Sequence, residues 1–291
     1  MSQNTITIKK LVAVSDLIRL PKQYGTLLVL WPTLWSLFIA SKGEPPGKLL
    51  IIFILGAFLM RSAGCAINDI ADRDLDPLVE RTRTRPLVSG TLNVREALFV
   101  FAALLSLAFI LALFLNPLTI LLSVIGALLA SVYPFVKRVS YWPQTVLGMA
   151  FGWGAVMAWS AVKGSPGIVA ALIFLANIFW AMAYDTIYAL MDKEDDIRAG
   201  VKSTAVLFGA RVYPLLGALY AAFTATLLFA GYLAGQGVYF YCGVVIAFAS
   251  SLWIVHLVKT NPLPRAAFKG FVANVAVGGI ILASIIMDAY L

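Results

Sequence analysis

The chain has 291 residues, of which 61% are hydrophobic and 12% charged, with a formal net charge of +8. Soluble domains carry about 25% charged residues, so this composition excludes a water-soluble globular protein and indicates that lipid is the solvent. Two isolated cysteines and a single histidine exclude a zinc or haem site. The basic residues form no stripe interleaved with aromatic residues, so we expect no binding to nucleic acid.

The predicted elements begin with a short amphipathic segment. Residues 1–23 are expected to form an interfacial N-terminal helix that ends at Pro21. Nine apolar runs follow, each of about 18 to 25 residues, which is long enough to cross the bilayer as a helix. They fall at 24–41, 48–67, 95–115, 117–135, 143–162, 166–190, 212–233, 236–258 and 270–290. The sequence therefore predicts an all-α fold, a polytopic membrane helix bundle of about nine transmembrane helices, in a single domain over residues 1–291.

The distribution of Lys and Arg predicts the orientation of this bundle. Of the 22 basic residues, only Lys42, Lys48 and Lys163 fall on the side opposite to the N-terminus, and Arg61 lies within a span. Because cytoplasmic loops are enriched in Lys and Arg, we expect the N-terminus and the long loops in the cytoplasm. The start of the chain lacks the pattern of a signal peptide, which favours a bacterial cytoplasmic (inner) membrane.

A first acidic cluster follows the second predicted span and reads NDIADRDLD over residues 68–76. If the helix continues, Asp69, Asp72 and Asp76 fall within about 60° of one another on one face. Carboxylates this close repel unless a cation lies between them, and Mg²⁺ prefers oxygen ligands and commonly bridges to substrate phosphates. We therefore expect Asn68 and these three Asp residues to bind Mg²⁺. The alternative is a solvated acidic helix end.

A second acidic cluster follows the sixth predicted span, on the same side of the membrane. Asp185, Asp192 and Asp196 fall within about 40° of one another if that helix continues. Asp185 lies inside the span, where burial of an acid costs several kcal/mol and indicates a functional site. Acidic faces at the same membrane edge, containing Asp192 and Asp196, are expected to hold Mg²⁺ ions around one diphosphate.

Basic residues near both clusters suit the same anion. They are Arg81, Arg83, Arg85, Lys137, Arg138, Arg198 and Lys202. The orientation bias of cytoplasmic loops explains each of them about as well singly. Arg61 is different because it lies within a span, seven positions before Asn68 and about 10 Å deeper along the helix. We expect it to hold a substrate carboxylate, with an ion pair to Asp185 as the alternative. Tyr188 could position a substrate or be an interfacial aromatic residue.

Several stretches of the chain resemble the UbiA superfamily of intramembrane prenyltransferases. They are RLPKQYGTLLVLWPTLW at 19–35, RSAGCAINDIADRDLD at 61–76, RTRTRPLVSG at 81–90, YPFVKR at 133–138, PQTVLGMAFGW at 143–153, AYDTIYALMDKEDD at 183–196 and VKSTA at 201–205. The last third of the chain matches only in hydropathy. The stretches RSAGCAIND and AYDTIYALMDKEDD favour the branch of the family that acts on 4-hydroxybenzoate in ubiquinone synthesis.

This resemblance implies a central cavity capped by cytoplasmic loops at 68–94 and 191–211. It implies metal and diphosphate binding by the Asn and Asp residues of both clusters, with Asp72, Asp76, Asp192 and Asp196 in the catalytic role. It also implies a role for Arg138 near the diphosphate and for Arg61 in acceptor recognition. The expected substrates are a polyprenyl diphosphate and 4-hydroxybenzoate, the expected cofactor is Mg²⁺, and the enzyme acts in the lipid bilayer with no obligate protein partner.

Three other functions are compatible with a polytopic chain of this kind. A member of the same superfamily could use another aromatic acceptor. An ion-coupled transporter would place its acids near the bilayer midplane on broken helices, whereas these acids lie at one edge. A structural or assembly subunit would leave the clustered acids without a purpose.

Overall fold

The computed structural model describes residues 3–291, with side chains from Ile8 onward. This part of the chain forms α-helices and short 3₁₀ turns with no strand, as the sequence predicts. The helices are α1 (Gln3–Leu17), α2 (Tyr24–Ala40), α3 (Gly47–Asp72), α4 (Val94–Ala112), α5 (Pro117–Val136), α6 (Pro143–Lys163), α7 (Ile168–Ala189), α8 (Lys193–Ala199), α9 (Thr204–Phe208), α10 (Val212–Ala234), α11 (Val238–Thr260) and α12 (Arg265–Tyr290).

Eight helices among the described residues are long and apolar enough to cross a membrane. They correspond to the second to ninth predicted spans. The first predicted span, α2, is apolar but has only 17 residues, so the prediction of nine spans is approximate. These long apolar helices make the chain a multi-pass membrane protein. Helices suit this solvent because lipid offers no hydrogen-bond partners, so the backbone groups must be satisfied within each helix.

The centre of the bundle is formed by α7, which is more buried than any other candidate span. Trp180, Tyr184 and Ile187 of this helix are fully buried. Asn274 of α12 ties three helices together inside the core. Its Oδ1 accepts hydrogen bonds of 2.9 Å from Trp180 Nε1 of α7 and from Tyr220 OH of α10. Its Nδ2 donates to the carbonyl of Gly270 one turn earlier. These buried polar atoms therefore satisfy one another.

Both acidic clusters lie at the same end of the bundle, since α3 and α7 run in the same direction. Two contacts show that their loops meet there. Arg81 forms an ion pair with Asp192, 111 positions along the chain, with a closest N–O distance of 2.5 Å. Glu80 N donates to Asp195 Oδ2 over 3.2 Å. The prediction that the two clusters share one membrane edge fits this arrangement.

The expectation that each acidic cluster occupies one continuous helical face is wrong. In the first cluster, helix α3 ends at Asp72, and Asp76 begins a 3₁₀ turn. Pro77 follows Asp76 and disfavours the α conformation at the residue before it. The helix α7 ends at Ala189, before Asp192. A new helix, α8, starts after Asp192 with three acidic residues in its first turn, where the helix dipole favours negative charge.

Candidate active site

A cavity of about 630 Å³ opens at the end of the bundle that carries the acidic clusters. Its walls are formed by parts of α2 to α7 together with Phe271 of α12. The polar and charged side chains in its lining are Arg19, Lys22, Tyr24, Thr33, Arg61, Asn68, Asp69, Arg85, Ser106, Ser123, Tyr133, Tyr184, Asp185 and Tyr188. Apolar and small residues of α3, α4, α5 and α6 line most of the rest. Charged residues thus surround the mouth, which leads into a largely apolar chamber. This chamber contains Arg61, on the same helix as Asn68.

Asp72 lies at the end of α3 and is buried, with one oxygen engaged and one free. Its Oδ2 accepts from Asn68 Nδ2 over 3.0 Å and forms an ion pair with Lys137. Asn68 in turn accepts a hydrogen bond of 3.2 Å from Tyr133 OH through Oδ1. Asp72 Oδ1 is buried with no hydrogen-bond partner in the described part of the chain. A buried carboxylate oxygen without a partner is costly and is available to a cation.

Asp69 and Asp76 share a single arginine. Arg85 Nη1 lies 3.0 Å from Asp69 Oδ1 and 2.8 Å from Asp76 Oδ2. Burial raises the pKa of Asp76 above its ordinary value, although Arg85 opposes this shift. Burial alone would lower the pKa of Arg85, but Asp69 and Asp76 together raise it. Asp69 also pairs with Arg19, which comes from the connection between α1 and α2.

The second cluster is held by Arg81. Its Nε lies 3.1 Å from both oxygens of Asp192, and its guanidinium lies 5.0 Å from the centre of the Tyr188 ring. Asp196 follows in the first turn of α8, where burial and the neighbouring Asp192 raise its pKa to about 7. Tyr188 packs against Phe271 of the cavity wall with ring centres 4.7 Å apart. It therefore lies between the cavity wall and the loop that carries Asp192.

The donor set of this site fits a hard cation, although its carboxylates do not yet converge. No group of three Asp, Glu, His or Cys side chains among the described residues lies close enough to hold a metal ion. Four acids of the two clusters are instead paired with arginine or lysine, as described above. Carboxylate and amide oxygens are the ligands that Mg²⁺ takes, and the free oxygen of Asp72 lies beside Asn68. Metal binding by the carboxylate oxygens that form these ion pairs therefore requires exchange of the basic partner for the ion.

Arg61 lies on α3, two turns before Asn68, and lines the cavity. Its Nη1 contacts the Cys65 thiol at 2.6 Å, and its guanidinium lies 5.8 Å from the Phe151 ring centre. Its Nε is buried without a hydrogen-bond partner among the described residues. The ion pair with Asp185, considered as an alternative from the sequence, does not form, because no described acid lies within 4.0 Å of Arg61. This guanidinium is thus free to bind an anion.

Four of the predicted substrate-binding residues lie outside the cavity lining: Arg81 and Lys137, which pair with acids of the clusters, and Arg138 and Lys202. Arg138 is exposed and donates to the backbone carbonyl of Ala71. Lys202 Nζ donates to the carbonyl of Val139 and lies 5.6 Å from the ring centre of Tyr141. Both side chains brace the loops next to the mouth. Their role toward a substrate stays a prediction.

Sequence reasoning missed Arg19. It pairs with Asp69 at 2.8 Å and lines the mouth of the cavity. From the sequence, this residue between a short helix and a span was counted only as one of the basic residues that orient the bundle in the membrane. The stretch 19–35, in which the chain resembles a known family, begins with this residue and was the available signal. The connection between α1 and α2 therefore contributes directly to the candidate site.

Comparison with known proteins places this cavity in a wider context. The sequence pattern of the UbiA prenyltransferase family matches residues 29–275. The 4-hydroxybenzoate octaprenyltransferase of Nitrosococcus oceani is 47% identical over 277 residues, which is 95% of this chain and 97% of that protein. The apo structure of a UbiA homolog from Aeropyrum pernix K1 has a TM-score of 0.77 at 27% identity, covering 89% of this chain and 97% of the other. A UbiA homolog from Archaeoglobus fulgidus bound to GPP and Mg²⁺ shares the fold, with a TM-score of 0.72 at 22% identity over 96% of this chain and 100% of the other.

Proposed function

This chain belongs to the UbiA prenyltransferase family, and we propose that it transfers a polyprenyl group from a polyprenyl diphosphate to 4-hydroxybenzoate, in ubiquinone synthesis. The new bond forms at the ring carbon ortho to the phenol, and diphosphate is released. The observation that carries this proposal is a mouth rich in acids and cations together with Arg61 inside the chamber, which has no acidic partner among the described residues. The name of the Nitrosococcus oceani relative supports the acceptor.

Basic residues at the mouth bind the leaving diphosphate. Arg81, Arg85 and Lys137 each lie against an acid of the clusters and carry more N–H donors than these contacts use. Their charge favours departure of the diphosphate with the electron pair of the allylic C–O bond. The residues that would hold Mg²⁺ are Asn68, Asp72, Asp76, Asp192 and Asp196; the prediction from the sequence also included Asp69. When bound, the metal neutralises charge on the diphosphate and so assists ionisation. The Mg²⁺ in the structure of the Archaeoglobus fulgidus homolog supports this cofactor.

The acceptor is held from the other end of the chamber. Arg61 binds its carboxylate through a guanidinium fork, which leaves the phenol end directed toward the mouth. The carbon ortho to the phenol then attacks the allylic carbon, and the ring proton is lost to a nearby acid or to the departing diphosphate. No covalent intermediate with the protein is needed.

The apolar part of the chamber holds the polyprenyl chain and excludes water. Ser106, Phe109 and Ile110 of α4 line the cavity and are also exposed on the outer surface of the bundle. The chamber thus reaches the lipid-facing surface at α4, and a long tail can remain in lipid during the reaction. Exclusion of water protects the allylic cation from hydrolysis. We place the mouth on the cytoplasmic face of the bacterial inner membrane, because the basic residues concentrate at that end.

The test is mass spectrometry of the products that membranes containing the chain form from 4-hydroxybenzoate and mixed polyprenyl diphosphates, with Mg²⁺ and with a chelator. We expect a prenylated 4-hydroxybenzoate that depends on Mg²⁺. Asp72→Ala and Asp192→Ala should abolish it, whereas Asp74→Ala, at an exposed acid of the same cluster, should not. Full activity of either of the first two variants would refute the metal role. Solute uptake by proteoliposomes without any prenylated product would favour a transporter instead.

A further inference from the structure

Asp69 differs from the other acids of the first cluster in its surroundings. Its side chain is only 1% exposed, and both of its oxygens are occupied. Arg19 Nη2 lies 2.8 Å from Oδ1 and 3.0 Å from Oδ2, and Arg85 Nη1 lies 3.0 Å from Oδ1. Asp72, by contrast, has a free Oδ1, and its Oδ2 accepts from the amide nitrogen of Asn68. The two acids are three positions apart, yet only Asp72 has an oxygen to offer.

We propose that Asp69 is not a metal ligand but a positioning residue that holds Arg19 and Arg85 at the mouth of the cavity, where both bind the diphosphate. Removing one partner from a buried ion pair leaves an uncompensated charge, which costs several kcal/mol. A metal ion that took Asp69 would leave Arg19 without its acidic partner and would leave Arg85 paired with Asp76 alone. The exchange of partners that metal binding requires is thus most costly at Asp69.

The geometry also explains what Asp69 gains by staying in place. It joins three segments that are far apart in sequence: the connection between α1 and α2, the end of α3, and the loop before α4. Arg19 has a left-handed backbone with φ of 57°, and its Nη1 donates to the carbonyl of Asp16 over 2.6 Å. A non-glycine residue in this conformation needs contacts that hold it there, and the pairing with Asp69 is one of them.

The two guanidinium groups face the cavity. Arg19 and Arg85 both line its mouth, and each carries five N–H donors, of which the contacts to protein oxygens use only some. Fixed arginine donors bind phosphate oxygens well because little freedom is lost on binding. This role of Arg19 and Asp69 rests on the proposed function, since a diphosphate must be the substrate.

The test compares metal binding with diphosphate binding in the full chain, purified in detergent. Mn²⁺ binding is measured by electron paramagnetic resonance without diphosphate. Binding of inorganic diphosphate is measured by calorimetry at saturating Mn²⁺. The variants are Asp69→Asn, Arg19→Gln and Asp72→Asn, with Asp74→Asn as the matched control at an acid whose side chain is 73% exposed.

Asp69→Asn should keep Mn²⁺ affinity within about threefold of the wild type and weaken diphosphate binding by about tenfold or more, the effect of losing charge-assisted hydrogen bonds. Arg19→Gln should behave in the same way, and it decides the matter if Asp69→Asn does not fold. Loss of Mn²⁺ binding in Asp69→Asn as large as in Asp72→Asn would overturn the proposal, as would unchanged diphosphate binding in Arg19→Gln. Wild-type Mn²⁺ binding by Asp72→Asn would instead contradict the metal site of the proposed function.

Discussion

Replacement of Arg61 by methionine tests the interaction that we propose selects the acceptor. Methionine keeps an unbranched side chain of similar reach but removes the charge and every donor. The guanidinium of Arg61 lies close to the Cys65 thiol, the Phe151 ring and Gly25, with no described acid within 4.0 Å. Under the proposed function its main charged partner is therefore the substrate carboxylate. Losing one member of a buried charge pair costs 2 kcal/mol or more. The cavity is open at its mouth and can admit water, so we expect a loss of about 2–3 kcal/mol, or about 30- to 150-fold in kcat/KM.

The assay compares two acceptors of the same shape, 4-hydroxybenzoate and the neutral 4-hydroxybenzamide, at a fixed polyprenyl diphosphate concentration. Arg61→Met should lose activity with the acid, mainly through KM, and should change kcat/KM for the amide by no more than about threefold. Arg73→Met, at an exposed arginine just beyond the same helix, is the matched control. An equal loss with both acceptors, or a change confined to the KM of the polyprenyl diphosphate, would show that Arg61 does not bind the carboxylate.

Three further substitutions test the site and its scaffold. In Gly25→Ala the new Cβ would lie 2.5 Å from Arg61 Nε, so the guanidinium must move and the KM for 4-hydroxybenzoate should rise about tenfold. Gly56→Ala is the control, because its Cβ meets nothing within 4 Å and the KM should not change. Equal KM values for the two variants would show that Arg61 need not stay in place. Lys137→Met removes the basic partner of Asp72, so Mn²⁺ binding measured without diphosphate should become about three- to tenfold tighter, while diphosphate binding should become weaker. Weaker Mn²⁺ binding would contradict competition between Lys137 and the metal. Asn274→Leu leaves two buried donors without an acceptor and should lower the free energy of unfolding by about 2–4 kcal/mol, seen as a lower Tm in detergent; an unchanged Tm would refute this.

The membrane spans and the shared location of the two acidic clusters could be predicted from the sequence because the solvent imposes them. A chain in lipid must satisfy its backbone within each helix, so runs of apolar residues mark the spans directly. Counting spans then places residues 68–76 and 192–196 at the same end. Arg61 could also be identified, since a charge within a span stands out against apolar neighbours.

Helical periodicity, however, gave the wrong geometry for the acids themselves. It treated each cluster as one face of a continuous helix, whereas α3 ends at Asp72 and α7 at Ala189. Turns at helix ends depend on local competition, here from Pro77 and from the acidic first turn of α8, which a regular repeat of 100° ignores.

The partners of the acids depend on the packing of distant segments. Asp69 meets Arg19 across 50 positions, Asp72 meets Lys137 across 65, and Asp192 meets Arg81 across 111. Composition and spacing show that opposite charges are abundant at this end of the bundle, but an ion pair forms only where two side chains come within about 4 Å. That distance is set by how the helices pack. The free oxygen of Asp72 and the fully engaged carboxylate of Asp69 therefore look alike in the sequence and differ only in the folded chain.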